Sequence, residues 1–380
     1  MRYRWAVLAA GTFAQTTYSA IWFGVAVLAP ALRARDHLSL AQTGLLISSS
    51  LVGSLVSLIP WGIATDRAGE RIVLVAGLGL CGAALVAAAF AHGFWPLAAL
   101  LAVAGGAGAS VQSASGRAVL HWFPLAQRGL ALALRQTAIP ISGVLTALVL
   151  PHVGGVRSGF LVMGAACLAG ALIGGAFLRE GPEHDRAPGE PLGASPMRDR
   201  RIWRLSIGSS LLLAPQLCVA GFAVLYLHDH RGMSTGAAGA VLAVMQALAV
   251  AGRIAAGRWS DVRSSRLRPL RAIALVVCGL VVVTTLVLDA PLPVLVPVLV
   301  ATGALAMSWN SLSFAAALEL AARGRSGSAI GLQQTLLNLP STTYPGLFGA
   351  LVAVSSWHVG FAVVALFPLA GWQVLRALPE

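Results

Sequence analysis

Arg135 stands inside an apolar run, Leu130-Ala131-Leu132-Ala133-Leu134 before it and Ala138-Ile139-Pro140-Ile141 shortly after. It lies seven residues beyond Arg128, about 10 Å deeper at ~1.5 Å of helix rise per residue. An arginine near a bilayer centre costs roughly 2.5–3.5 kcal/mol on insertion scales. It is therefore expected to face a wet cavity or to hold an anion; the alternative is a side chain that snorkels to the surface. Ser142 and Thr146 follow at helical spacing and make the same face polar. Arg253 sits one turn before Gly257, about 6 Å inside its helix edge, where snorkelling is easy.

Further polar residues recur at helical spacing in apolar surroundings. Gln15, Ser19 and Trp22 form one stripe, and Gln334, Asn338 and Ser341 form another near Tyr344. Gln112 and Asn310, with Trp309 adjoining, occupy matching places in the two halves, as do Gln15 and Gln216. Taken singly, a buried amide in lipid is commonly interhelical glue; as a set, these residues are read as the lining of a substrate cavity. No Asp or Glu falls deep in an apolar run, so a carboxylate proton carrier is not indicated. Arg117 and His121, with Glu319 at the position equivalent to His121, are read as an inner gate or ion-pair cluster. Cys81, Cys167, Cys218 and Cys278 are dispersed through apolar runs and suggest packing, with no metal site or disulfide framework. No cofactor is expected.

The elements that must position these groups are membrane helices. The chain is 57% hydrophobic and 10% charged, too apolar for a soluble domain of this length. Twelve spans are predicted: 5–32, 40–64, 72–91, 94–120, 127–150, 156–178, 202–227, 235–256, 270–288, 291–320, 328–354 and 357–378. Residues 1–180 and 201–380 then make two six-helix halves, and the polar, proline-containing stretch 181–200 reads as a cytoplasmic linker. All 26 basic residues are arginine. With both termini inside, 20 of them fall in cytoplasmic segments and 4 outside, which favours that topology. The glycines Gly105, Gly106 and Gly108 suggest close helix packing, and Pro140 and Pro340 bends.

The chain is also duplicated. Gly62-Ile63-Ala64-Thr65-Asp66-Arg67-Ala68-Gly69-Glu70-Arg71 recurs 195 residues later, with Gly62, Asp66 and Arg71 matching Gly257, Asp261 and Arg266. At an offset of 198, Gln112, Ser113, Ser115, Gly129, Gln136 and Thr137 match Asn310, Ser311, Ser313, Gly327, Gln334 and Thr335. Two halves in the same orientation, related by an axis along the membrane normal, are the arrangement of parallel-repeat transporters.

With these motifs the whole chain resembles the major facilitator superfamily. The loop Gly62-x-x-x-Asp66-Arg67-x-Gly69-x-Arg71 is similar to that family's loop between helices two and three, and Trp122-Phe123-Pro124 with Arg128-Gly129 looks like bacterial members. The resemblance implies an all-α integral membrane protein of two six-helix bundles that works by alternating access. It also implies that Asp66, Arg67, Arg71 and Asp261 form a cytoplasmic latch holding the outward-open state. Arg253-x-x-x-Gly257 is similar to the helix-eight arginine that binds a carboxylate in oxalate- and monocarboxylate-type facilitators.

These observations predict a monomeric, non-enzymatic carrier of a small, anionic solute in a bacterial inner membrane. Arg135 and Arg253 are its cations, with protons or a counter-transported solute as possible further partners. Export of amphipathic drugs is the competing reading; Trp22, Trp309 and Tyr344 favour it, and the want of an embedded acid opposes it. A receptor or membrane enzyme would need a signalling domain or a catalytic constellation, and neither is visible. The net charge of +13 needs no nucleic acid to explain it, because inside-positive loops account for it.

Overall fold

A computed structural model describes residues 3–179, 181 and 193–379, apart from the side chains at 40, 41 and 235. Residues 182–192 of the predicted linker, with Arg186, lie outside the described residues, as does Arg2. The first half forms α1 (Tyr3–Asp36), α2 (Leu40–Ala68), α3 (Glu70–Ala88), α4 (Phe94–Gly108), α5 (Ser110–Trp122), α6 (Leu125–Gln136), α7 (Ala138–Val149) and α8 (Val156–Phe177). The second half forms α9 (Arg200–Leu225), α10 (Thr235–Val262), α11 (Leu267–Leu286), α12 (Leu292–Ala306), α13 (Asn310–Leu320), α14 (Ser326–Ser341), α15 (Tyr344–Val354) and α16 (Trp357–Arg376). No strand occurs among the described residues.

Eleven of the predicted spans are helical stretches long and apolar enough to cross a membrane. Three of them are each built from two helices: α4 with α5, α6 with α7, and α12 with α13. The twelfth, predicted as one span over 328–354, is divided into α14 and α15 at Thr342 and Thr343. Prolines account for two interruptions. Pro140 has no N–H for the carbonyl of Gln136, where α6 ends. Pro340 and Pro345 flank the gap between α14 and α15. The gaps at Ala109 and at Met307 to Trp309 contain no proline; the helix before the first ends at Gly108, and the last turn before the second contains Gly303. Mid-span breaks free backbone groups, which membrane proteins accept only where protein or water satisfies them.

The described residues divide into two compact units. Unit 1 comprises Met1–Pro124, Leu134–Arg198 and Ala321–Thr335; unit 2 comprises Leu125–Ala133, Asp199–Leu320 and Leu336–Glu380. Within unit 1, α2 packs on α4, α3 on α8, and α1 on both α7 and α8. Within unit 2, α10 packs on α12, α11 on α16, and α9 on α15 and α16. The same pairings recur because the duplicated sequence repeats the same apolar and small-residue faces. Each unit has its own apolar core, one around Tyr18, Leu78 and Phe160, the other around Tyr226, Val277 and Phe361. Outward positions are apolar as well, including Trp95 and Leu172, as a lipid-facing surface requires.

The α2–α4 contact illustrates how this packing is held. Ser54 Oγ donates to Gly105 O at 3.0 Å, and Ser57 Oγ and Trp61 Nε1 donate to Gly106 O at 2.7 and 2.8 Å. A Cβ at Gly53 or Gly105 would overlap the facing backbone at Ala102 or Ser50. Cys81 and Cys167 touch through their sulfurs at 3.8 Å and remain free thiols. At the start of α9, Asp199 accepts from Arg201 N at 2.9 Å, and the Arg201 guanidinium holds its carboxyl below the usual range.

Substituting Gly105→Val should destabilise unit 1 by about 1–3 kcal/mol, since the backbones cannot part without losing three bonds. Gly79→Ala, which meets open space, should leave the thermal unfolding midpoint in detergent unchanged or slightly raised.

Candidate substrate site and charged clasps

Arg135 closes the last turn of α6 and is fully buried within unit 1. Its Nε donates to Ser115 Oγ at 2.7 Å. Its Nη2 donates to Gln15 Oε1 at 3.0 Å, Gln112 Oε1 at 3.1 Å and Gln112 O at 3.3 Å. Gln15 is itself oriented by a 3.2 Å bond from its Nε2 to Ser19 Oγ. Hydrogen bonds to a charged group contribute about 1.5–3 kcal/mol each, so this set offsets an insertion cost of roughly 2.5–3.5 kcal/mol. The side chain does not snorkel; α1 and α5 hold it inside. These acceptors of Nε and Nη2 are neutral groups.

Unit 2 solves the corresponding problem differently. Gln333 stands where the repeat would place a second Arg135. Within unit 2 the two amides meet directly, Asn310 Nδ2 donating to Gln216 Oε1 at 3.2 Å. The arginine of this unit comes from α10. Arg253 Nε donates to Met307 O at 2.8 Å, a carbonyl exposed by the break between α12 and α13. Arg253 is buried and Trp309 wholly so.

Of the other predicted cavity residues, Trp22 packs edge-on against Tyr18 at 5.1 Å and Tyr344 against Phe367 at 5.2 Å. Gln334 and Asn338 are partly exposed, the first in unit 1 and the second in unit 2. Ser142 and Thr146 line an apolar groove of about 190 Å³ with Phe13, Thr16 and Met163.

Each unit also contains a charged clasp. In unit 1, Asp66 at the end of α2 accepts Gly327 N and Ser328 N, both at 2.8 Å, and Ser328 Oγ besides. The carboxylate thus caps the start of α14, where orphan N–H groups and the helix dipole favour an anion. Arg117 donates to Asp66 Oδ1 at 3.3 Å and to Thr65 O at 2.7 Å, and its Nε lies 3.4 Å from Glu70 Oε1. His121 Nδ1 lies 2.7 Å from the same Glu70 oxygen. In unit 2, Asp261 accepts Gly129 N and Leu130 N, both at 2.9 Å. Arg266 donates to Asp261 Oδ1 at 2.6 Å, Ser260 Oγ at 2.7 Å, Glu319 Oε1 at 2.9 Å and Leu125 O at 2.7 Å. The glycines make room: a Cβ at Gly62 would overlap Gly327, and one at Gly257 would come within 2.6 Å of Gly129 O.

The sequence also matches known proteins. A profile of the Major Facilitator Superfamily matches residues 11–345. An uncharacterized MFS-type transporter of Mycobacterium tuberculosis is 34% identical over 99% of this chain and 86% of its own length. The chain belongs to the Major Facilitator Superfamily. A "probable sulfoacetate transporter" of Cupriavidus necator is 30% identical over 44% of the chain and 40% of that protein. The crystal structure of the E. coli fucose:proton symporter matches in fold, with a TM-score of 0.76 at 16% identity, covering 97% of this chain and 98% of that one. The protein is a multi-pass membrane transporter of the alternating-access type, and it is not an enzyme.

As a member of this superfamily the chain carries its loop motif twice, and the two copies have exchanged parts. In the first clasp the cation, Arg117, comes from α5 and the outer acid, Glu70, from the loop. In the second the cation, Arg266, comes from the loop and the outer acid, Glu319, from α13. Arg67 and Arg71 are exposed, and among the described residues neither is placed in a clasp. Arg117 and His121 fall in one clasp and Glu319 in the other, two clusters where the sequence suggested one. Glu70, Arg266, Gly327 and Ser328 were not among the predicted gate residues. The repeat offsets pair Gly327 with Gly129, but single-sequence spacing cannot reveal which element supplies the cation.

Breaking a buried ion pair from one side costs about 3–5 kcal/mol. Asp66→Asn and Arg117→Ala should therefore accelerate amide exchange at Gly327 and Ser328 by at least tenfold. Arg71→Ala should leave that exchange unchanged, and Asp261→Asn should raise it at Gly129 and Leu130 instead.

Proposed function

We propose that this transporter moves a small organic anion across the bacterial inner membrane, with Arg135 as the cation that selects it. The observation carrying the reading is that a fully buried guanidinium is held by neutral groups, Gln15, Gln112 and Ser115. The acids of the spans lie at helix ends, as with Asp36, Asp66, Asp261 and Glu319, and a cation at this depth is a natural partner for an anionic cargo. Arg253 is the second candidate cation, in unit 2. The partial relationship to a protein named for sulfoacetate points the same way. Trp309 is buried and Tyr344 engaged with Phe367, which favours a polar cargo over an amphipathic one. The inside-positive bias, with Arg4 and Arg376 near the ends, supports a cytoplasmic position for both termini. A monomer suffices for the proposed cycle, and protons or a counter-solute are the proposed source of coupling.

The cargo must bind unequally in the states of the cycle, since a ligand shifts an equilibrium only by its differential affinity. An anion that draws donors of Arg135 away from Gln15 and Gln112 meets that requirement within unit 1 alone.

Purified protein in proteoliposomes should take up a radiolabelled anion from a panel of sulfonates, carboxylates and dicarboxylates, and no cationic dye. Loss of one charge-assisted contact, about 1.5–3 kcal/mol, should lower kcat/KM in Arg135→Gln by ~10- to 150-fold. Arg135→Lys, which keeps charge but loses the fork, should fall between. Saturable uptake that is equal in parent and Arg135→Gln would end the proposal.

A further inference from the structure

A groove of about 190 Å³ runs between α1, α7 and α8 in unit 1. Unit 2 has a groove of about 70 Å³ between α9, α15 and α16. The two are counterparts in the duplication. At an offset of 201, Phe13, Thr17 and Ala166 of the first match Ala214, Cys218 and Phe367 of the second. Gln15 with Gln216 and Phe160 with Phe361 share that offset. The grooves differ in their rings. Phe367 packs on the phenol of Tyr344, with centroids 5.2 Å apart, and this pair fills the groove of unit 2. Unit 1 has only a methyl group at the matching position, Ala166.

The larger groove also holds a polar group that its walls do not serve. Ser142 lines it and is 1% exposed, and its Oγ has no hydrogen-bond partner among the described residues. The hydroxyls of Thr16 and Thr17 are spent on their own helix, donating to Thr12 O at 2.9 Å and Ala14 O at 3.0 Å. We infer that this groove binds a lipophilic phenol, at a site separate from the cargo site and independent of the cargo's chemistry. The ligand's ring takes the place that the Tyr344 and Phe367 rings fill in unit 2, and its oxygen partners Ser142. The size fits a single ring, since an apolar cavity of roughly 150 Å³ accepts benzene. Phe13 offers a ring for edge or offset contact, and Met163 a thioether that packs well on aromatic edges. An acyl chain of the bilayer would fill the apolar walls and leave the buried hydroxyl unpaired, which costs free energy.

The test uses full-length protein in phosphatidylcholine nanodiscs, photolabelled with a diazirine-bearing phenol, with labelled peptides mapped by mass spectrometry. Saturable labelling of α1, α7 or α8 is expected, displaced by 4-ethylphenol and not by 1-octanol, which mimics an acyl chain. Ala166→Phe, which supplies the ring found in unit 2, should reduce that labelling at least tenfold. Leu172→Phe, at an exposed position of the same helix, should leave it unchanged. Ser142→Ala should weaken displacement by 4-ethylphenol about two- to tenfold, as loss of one hydrogen bond does, and leave displacement by ethylbenzene as it was. Phe367→Ala should add a second labelled segment in α9, α15 or α16, a gain that does not depend on the folding of Ala166→Phe. Equal labelling of parent and Ala166→Phe, or no gain in Phe367→Ala, would overturn the inference. Displacement by 1-octanol as strong as by 4-ethylphenol would overturn it too, and assign the groove to lipid chains.

Discussion

A guanidinium cannot be left dry. Arg135 is wholly buried among apolar helices, and its surroundings must supply acceptors at every reachable N–H. Gln15 from α1 with Gln112 and Ser115 from α5 accept from its Nε and Nη2. The requirement fixes how α1, α5 and α6 sit together, because moving any one by an ångström or two strands a donor. Two of the interruptions in the spans lie next to a carbonyl that an arginine uses. The gap between α4 and α5 lies just before Gln112, whose carbonyl helps to hold Arg135, and the gap between α12 and α13 frees the Met307 carbonyl for Arg253.

The second recurring device is a carboxylate set against backbone N–H groups in the first half of a helix. Asp66 and Asp261 each accept two consecutive backbone N–H groups and one arginine. The glycines on both sides allow the backbones to approach closely enough for a short side chain to span the gap. An alanine at Gly62 or Gly257 would separate the partners, so the two glycines belong to the clasp as much as the aspartates do.

Much of this was readable in the amino-acid string. Hydropathy located the spans, and the 195-residue offset between the charged turns exposed the duplication, because both signals depend on spacing that a helix preserves. The depth of Arg135 in its run singled it out for the same reason. Its partners could be suggested only as residues on other spans, since a helix period says which face is polar and not which neighbour it meets. Arg71 was named for the gate by resemblance to the family's loop motif, and Arg117 as part of an inner ion-pair cluster; it is Arg117 that pairs with Asp66. The two copies look alike in the loop and differ in what α5 and α13 bring to it. The division of span 328–354 was missed because Pro340 suggests a bend, whereas Pro345 completes the break.

The exchange of parts between the clasps has an evolutionary consequence. If the segment 62–71 replaced 257–266, glutamate would enter at the position of Ser265, and three acids would surround a single arginine. The converse replacement would remove Glu70 and leave Arg117 and His121 with no outer acid. The duplicates have therefore lost interchangeability: recombination between them would unbalance both clusters at once. Each later change in one copy could be retained only with a compensating change on a different helix. The internal symmetry of this carrier survives in its backbone, while its ancestry as two equal copies is closed to return at the level of charge.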